Sequence, residues 1–108
     1  MTYQVRLTAD AEADLEGLIS YIAEHDSSAS AVYVLDKLEE VIDSLADNPE
    51  RGVAPKELSG MGFHGYRELF FKPYRVIYQV LKKTVYIMII VDGRRDMQAL
   101  LQRRLLRS

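Results

Sequence analysis

Four cations in the second half of the chain have the types and spacing to do chemistry: Lys72, Arg75, Arg94 and Arg95. Arginine forks match the paired oxygens of phosphate or carboxylate, and lysine adds a compact point charge. The four are distant in sequence, and strand pairing would gather them. Tyr66–Phe71, Tyr74–Leu81 and Thr84–Val91 are rich in Tyr, Phe, Val and Ile, with only Lys72-Pro73 and Lys82-Lys83 between them. Such runs with such short connections read as an antiparallel meander. Counting back from Lys82-Lys83 sets Arg75 opposite Ile90, with Arg94 and Arg95 just beyond and Lys72 in the turn alongside. Cations gathered this way demand an anion, and Asp92 and Asp96 supply part of it. Two readings stay open: a phosphate site, or an arginine–aspartate network closing the end of the sheet.

Other chemistry is thin. The chain has no cysteine, which removes disulfides, thiolate zinc sites and cysteine nucleophiles and suits a reducing compartment. His25 falls at a helix end, where it favours the local dipole. His64 lies in a glycine-rich loop; it has the chemistry of a general acid or base but reads first as a solvated loop residue. No spacing of His, Asp or Glu marks a metal site, and nothing in the residues asks for a cofactor. The stretch Gly60–Gly65 lacks the following helix that a phosphate-cradling loop requires. The serines sit in no nucleophile elbow.

The elements that must position these residues are legible in the periodicity. Tyr3, Val5 and Leu7 alternate with polar neighbours, as in a half-buried strand. Thr8 then caps a helix whose stripe is Ala11, Leu15, Leu18, Ile19 and Ile22, ending near His25-Asp26. Ser27, Ser28 and Ser30 offer caps for a second helix with stripe Ala31, Val34, Leu35, Leu38, Val41, Ile42 and Leu45, stopped by Asn48-Pro49. The break between them is short, so the two form an antiparallel hairpin. Residues 49–65 read as a loop, and the meander follows. Its second and third strands are apolar on both faces, hence central, with the hairpin over one face. Asp92-Gly93 turns the chain into a last helix, Met97–Leu106, near Arg103, Arg104 and Arg107. Leu100, Leu101, Leu105 and Leu106 cover much of that helix, so part of it is expected to face a protein partner and part the sheet. The fold class is therefore α+β in a single domain spanning residues 1–108.

Bulk composition agrees. At 108 residues, 48% hydrophobic and 28% charged, the chain suits one globular domain, which typically holds about 100–150 residues. The N-terminus has no signal-peptide pattern, and the longest apolar run, Val85 to Val91, is far shorter than the ~20 residues of a membrane span. A cytoplasmic protein without membrane contact is expected. The net charge of −2 conceals a split: residues 1–60 carry four Lys/Arg against thirteen Asp/Glu, a balance of −9, and the remainder ten against three, a balance of +7. Either the halves present two surfaces to different partners, or they attract each other within the fold.

The run Tyr66-Arg-Glu-Leu-Phe-Phe-Lys-Pro-Tyr-Arg-Val-Ile-Tyr-Gln-Val80, followed by Val91-Asp-Gly-Arg-Arg-Asp96, resembles the signature of RelE/ParE toxins. Ile19-Ser-Tyr-Ile-Ala23 and Leu45-Ala-Asp-Asn-Pro-Glu-Arg-Gly52 extend the likeness over nearly the whole chain. The resemblance implies a strand, a helical hairpin and a curved antiparallel sheet. It also implies the toxin half of a type II toxin–antitoxin pair, free of cofactor and metal, restrained by a cognate antitoxin. On that reading the antitoxin meets apolar residues of the hairpin and tail: Leu15, Ile19, Ile22, Val34, Leu38 and Leu105.

Two activities compete within the family. RelE-like members cut mRNA on the ribosome; by position Arg75 and Arg95 match their phosphate-holding arginines and Arg67 a basic residue on the preceding strand, with Asp96 or His64 left to carry protons. Leu101 stands where such enzymes place a tyrosine, and nothing aromatic or imidazole follows Tyr86, so the proton-transfer groups a nuclease needs are missing. ParE-like members poison DNA gyrase, and the tail Gly93–Leu105 looks closer to that branch. The resemblance then makes Lys72, Arg75, Arg94, Arg95, Arg103 and Arg104 the target-facing set. Asp92 departs from the histidine common before Gly-Arg-Arg-Asp and adds negative charge beside the cations.

Overall fold

A computed structural model describes residues 2–58 and 60–106 of the chain. Strand β1 (Gln4–Leu7) leads into helix α1 (Ala9–His25), which turns directly into α2 (Ser28–Asp43). Thr8 caps α1 by accepting from the Ala11 N–H at 3.1 Å, and Ser27 caps α2 by accepting from the Ser30 N–H at 3.0 Å. Both hydroxyls satisfy donors that the first helical turn leaves open. The stripe of α2 carries on through a 3₁₀ turn, Ser44–Ala46, which buries Leu45 completely.

Strands β2 (Tyr66–Phe71), β3 (Tyr74–Leu81) and β4 (Thr84–Asp92) form the expected antiparallel meander. β1 adds to β4 in parallel, giving the order β1-β4-β3-β2 with β4 and β3 central. The hairpin covers one face, over a core that includes Ala11, Leu38, Ile42, Leu45, Val76, Tyr78 and Ile87. Helix α3 (Met97–Leu106) covers the other, joining Ile77, Ile89 and Val91 to Met97, Leu100 and Leu101. Each large apolar side chain buried this way contributes roughly 1.5–3 kcal/mol. The α3 helix therefore folds back on the sheet; Leu105 packs at the edge of this second core and Leu106 stays exposed. Arg107, counted with the tail arginines, lies outside the described residues.

One irregularity resets the count along the sheet. The β3–β4 register shifts between Ile77↔Ile89 and Tyr78↔Ile87, so Met88 is an extra residue in β4. A bulge of this kind flips the facing of everything beyond it. Val85 and Ile87 serve the hairpin core, whereas Ile89 and Val91 serve the second one. Arg75 consequently pairs with Val91, not Ile90.

Candidate functional site

Arg75 begins one residue into β3, cross-strand from Phe70, and its guanidinium lies 5.7 Å over the Phe70 ring. It is buried, at 7% exposure. Its Nε–H donates to Glu68 of β2 at 2.7 Å, and its two terminal nitrogens donate side by side to Glu57 at 2.8 Å each. Glu57 rides on a one-turn 3₁₀ segment, Lys56–Leu58, anchored by buried Leu58 in the second core. These bonds hold the Glu57 carboxyl below its ordinary value, while burial pushes Glu68 up. Arg75 in turn is held above its ordinary value, first by the bond to Glu57. The anion that Arg75 demands is thus supplied by Glu57 and Glu68. Asp92 supplies part of the rest, as expected, by pairing with Arg94, whose bonds lower its pKa; Asp96, expected to share that role, instead accepts from the Ala99 N–H as a cap of α3.

The expected convergence holds for three of the four cations. Lys72, Arg75 and Arg94 line one cleft of about 530 Å³ with Lys56, over an apolar floor that includes Val53, Phe70 and Pro73. Gly93 passes so close over the Arg75 stem that a Cβ there would sit 2.6 Å from Cδ and 3.1 Å from the Pro73 carbonyl oxygen. No side chain fits, which accounts for glycine in the turn. Arg95 is exposed and lies outside the cleft lining. His64 lines a separate depression with Phe63 and Tyr66.

Two further arginines prove to be fasteners. Arg67 donates to the backbone oxygens of Glu50 and Gly52, at 3.2 and 2.8 Å, tying the loop to β2. The Tyr78 hydroxyl works beside it: it donates to Pro49 O at 2.8 Å and accepts from the Gly52 N–H at 3.0 Å, and burial pushes its pKa up. Arg104 makes a two-pronged pair with Asp14 of α1, at 2.9 and 3.0 Å, and also donates to Met88 O at 3.1 Å. Asp14 accepts in addition from the Ile90 N–H at 3.0 Å. The bulge at Met88 is therefore closed by an ion pair joining the acidic first half of the chain to the basic second half, as the Glu57–Arg75 pair also does. Of the expected target-facing set, Lys72, Arg94, Arg95 and Arg103 are exposed, and Arg75 and Arg104 are enclosed.

The apolar residues expected to meet an antitoxin divide likewise. Leu38 is fully buried in the core between the hairpin and the sheet, and Ile22 is nearly so, which leaves them little surface for a partner. Leu15, Ile19, Val34 and Leu105 are half-buried. Leu15 lines a shallow groove with Leu7, Glu12 and Glu16 beside β1. The larger exposed apolar side chains are others, among them Tyr21, Val32, Tyr33 and Phe70. Sequence reasoning passed over Glu57, Glu68 and Asp14. Asp14 was detectable, because it falls inside the apolar stripe of α1 between Ala11 and Leu15, where a carboxylate needs a partner. Glu68 was detectable too, as a lone carboxylate in an apolar strand of the basic half.

Comparison with known proteins agrees with this architecture. Residues 5–97 match the family model described as the ParE toxin of the type II toxin–antitoxin system parDE. The chain belongs to that family of toxins. No curated protein sequence matches it. Among solved structures it is similar to the chromosomal ParDE toxin–antitoxin system of P. aeruginosa, at 19% identity and a TM-score of 0.70 over 84% of this chain and 96% of that one. It is also similar to a mutant of E. coli toxin RelE in the free state, at 16% identity and 0.64 over 99% and 98%. The toxin–antitoxin complex RelBE2 of Mycobacterium tuberculosis aligns at 24% identity and 0.57 over 85% and 92%. At such identities the structures share the fold. Among the described residues no helix is long and apolar enough to cross a membrane.

Proposed function

We propose that this toxin acts by poisoning DNA gyrase and is restrained by a cognate antitoxin. The observation that carries the reading is the enclosure of Arg75. A ribonuclease of the RelE kind would need that guanidinium for the scissile phosphate and a proton-transfer group beside it. Here Glu57 and Glu68 fill the guanidinium, Arg67 is committed to the loop backbone, and Leu101, in the tyrosine's place, is wholly buried in the second core. What remains outward is a set of cations, Lys72, Arg94, Arg95 and Arg103, suited to docking on an acidic protein surface. Arg75 holds that surface in shape. The antitoxin lies along the hairpin side, with apolar side chains entering the groove at Leu7 and Leu15 beside the edge strand β1.

The test is gyrase supercoiling with purified toxin. Excess toxin is expected to block supercoiling or trap cleaved DNA, and the antitoxin encoded by a neighbouring open reading frame is expected to reverse it. Reversing the charges of Lys72, Arg94 and Arg95 together should weaken inhibition at least about tenfold without lowering the melting temperature. Normal supercoiling by folded toxin sinks the proposal, and ribosome-dependent mRNA cleavage in its place would establish the RelE-like activity.

A further inference from the structure

We infer that the cleft lined by Phe70 and Val53 seats an apolar side chain of an acidic partner protein, whose carboxylates meet Lys56 and Lys72 at its rim. The inference rests on the gyrase reading and deepens it, by naming the anchor of that contact. Alternation along β2 turns Leu69 and Phe71 toward the hairpin core and Glu68 and Phe70 toward the opposite face. Glu68 is covered there by Arg75. Phe70 is left 46% exposed. An exposed phenylalanine is ordinary in isolation, but this one is held in place. Its ring packs against the Arg75 guanidinium, which Glu57 and Glu68 fix from the other side. Val53, 58% exposed, lines the same cleft from a backbone bonded to that of Glu68 in both directions, at 3.1 and 2.7 Å. The result is a pre-formed recess of about 530 Å³, within the roughly 300–1,000 Å³ of clefts that take small groups.

Charge decides what enters. Inside, the donors of Arg75 are filled by Glu57 and Glu68, so the recess offers no paired donors to a phosphate, and the two carboxylates repel one. Lys56 and Lys72 are exposed on the lining. Arg94 is balanced by Asp92. The cations Lys56, Lys72, Arg75 and Arg94 therefore outnumber the carboxylates Glu57, Glu68 and Asp92, and the surplus lies on the exposed lysines. An apolar centre with charge of one sign around it is the anatomy of a protein-binding hot spot: the centre carries the affinity and the rim steers the approach. Its complement is an aromatic or long aliphatic side chain flanked by aspartate or glutamate. Arg75 thus serves recognition without touching the partner, by holding the Phe70 wall upright.

The experiment titrates the peptide acetyl-Glu-Phe-Glu-amide into full-length protein and follows the Gly93 amide and the Phe70 ring protons by NMR. Both should shift at millimolar peptide. Acetyl-Glu-Ala-Glu-amide and acetyl-Lys-Phe-Lys-amide should each bind at least about tenfold more weakly. Phe70→Ala should abolish peptide binding, and so should Val53→Asp, made at an exposed side chain. Both variants should melt near wild type and inhibit gyrase supercoiling at least about tenfold less. Peptide that leaves both signals unmoved overturns the inference. So do signals that move with protein concentration alone, which would seat a second copy in the cleft. Variants that lose antitoxin affinity while inhibiting gyrase fully overturn it too, and leave the gyrase reading standing. The converse is also separable: wild type that spares supercoiling yet binds the peptide through Phe70 and Val53 sinks the gyrase reading and upholds the cleft as the site of another acidic protein.

Discussion

The two faces of the sheet are closed by different physics. Under the hairpin lies a core built from Ala11, Leu38, Ile42, Leu45, Val76 and Ile87, with Tyr78 reaching out to the loop. Under α3 lies a smaller apolar cluster, and on that side Arg75 is held by Glu57 and Glu68. Hydrophobic contact is non-directional and tolerates small shifts, so the hairpin face supplies stability with little demand for exact placement. The charged side is directional. It fixes where the loop, the turn and the strand ends sit, and the cationic cleft belongs to it. Stability and surface geometry are thereby assigned to opposite faces, with the bulge at Met88 as the point where β4 changes allegiance.

This division can be broken most severely at Arg75. Replacing it with Ala should cost about 3–5 kcal/mol, because Glu68 would be left buried without its partner. Urea unfolding measures the loss. Arg94→Ala, made on the exposed pair in the same cleft, should leave the unfolding midpoint unchanged. Comparable losses from both would mean that enclosure does not separate the two arginines.

A smaller effect is expected where the two faces are joined through the loop. Tyr78→Phe removes the donor to Pro49 O and leaves the Gly52 N–H without its acceptor. About 1–3 kcal/mol should be lost, with faster amide exchange at Gly52. A Gly52 amide that stays protected would show the loop is held by Arg67 alone.

The smallest effect is the most selective, because it depends on pH. Glu57 has a lowered pKa, so its stabilising contribution is complete above its ordinary value of 4.5 and fades as acid carries the pH down through the lowered one. Glu68 has the opposite sign: its pKa is raised, so the cost of keeping it charged is relieved as pH falls. Glu57→Gln should therefore melt lower than wild type near neutrality, by about 1 kcal/mol. That gap should close below pH 4.5. A gap independent of pH would mean that the carboxylate's charge is not what holds Arg75.

Much of this was legible in the sequence. The capping residues Thr8 and Ser27, the two apolar stripes and the three β-rich runs each carry a local signal, and each element forms where that signal lies. The bulge carries none: residues 85–91 are apolar throughout, so an extra residue leaves no break in the alternation, and the count to Arg75 slips by one. The stripe of α1 and α2 likewise cannot distinguish a residue facing the sheet from one facing a partner. Leu38 and Leu15 look equivalent by period and differ only once the helices are docked. Glu57 was the least accessible, because its position follows from where buried Leu58 anchors the loop, and loops have no period.

The bulge also bears on how the molecule avoids sticking to itself. Pairing between β1 and β4 stops at Leu7↔Ile87, while β4 continues through Ile89, Ile90 and Val91. An apolar strand segment with an open edge is a template for aggregation. Asp14 takes the Ile90 N–H and Arg104 takes the Met88 carbonyl, so an incoming strand would have to dislodge a charged pair before it could add its first hydrogen bond. The same two side chains that fasten α3 thus also occupy the open segment of the β4 edge, where another strand would otherwise pair.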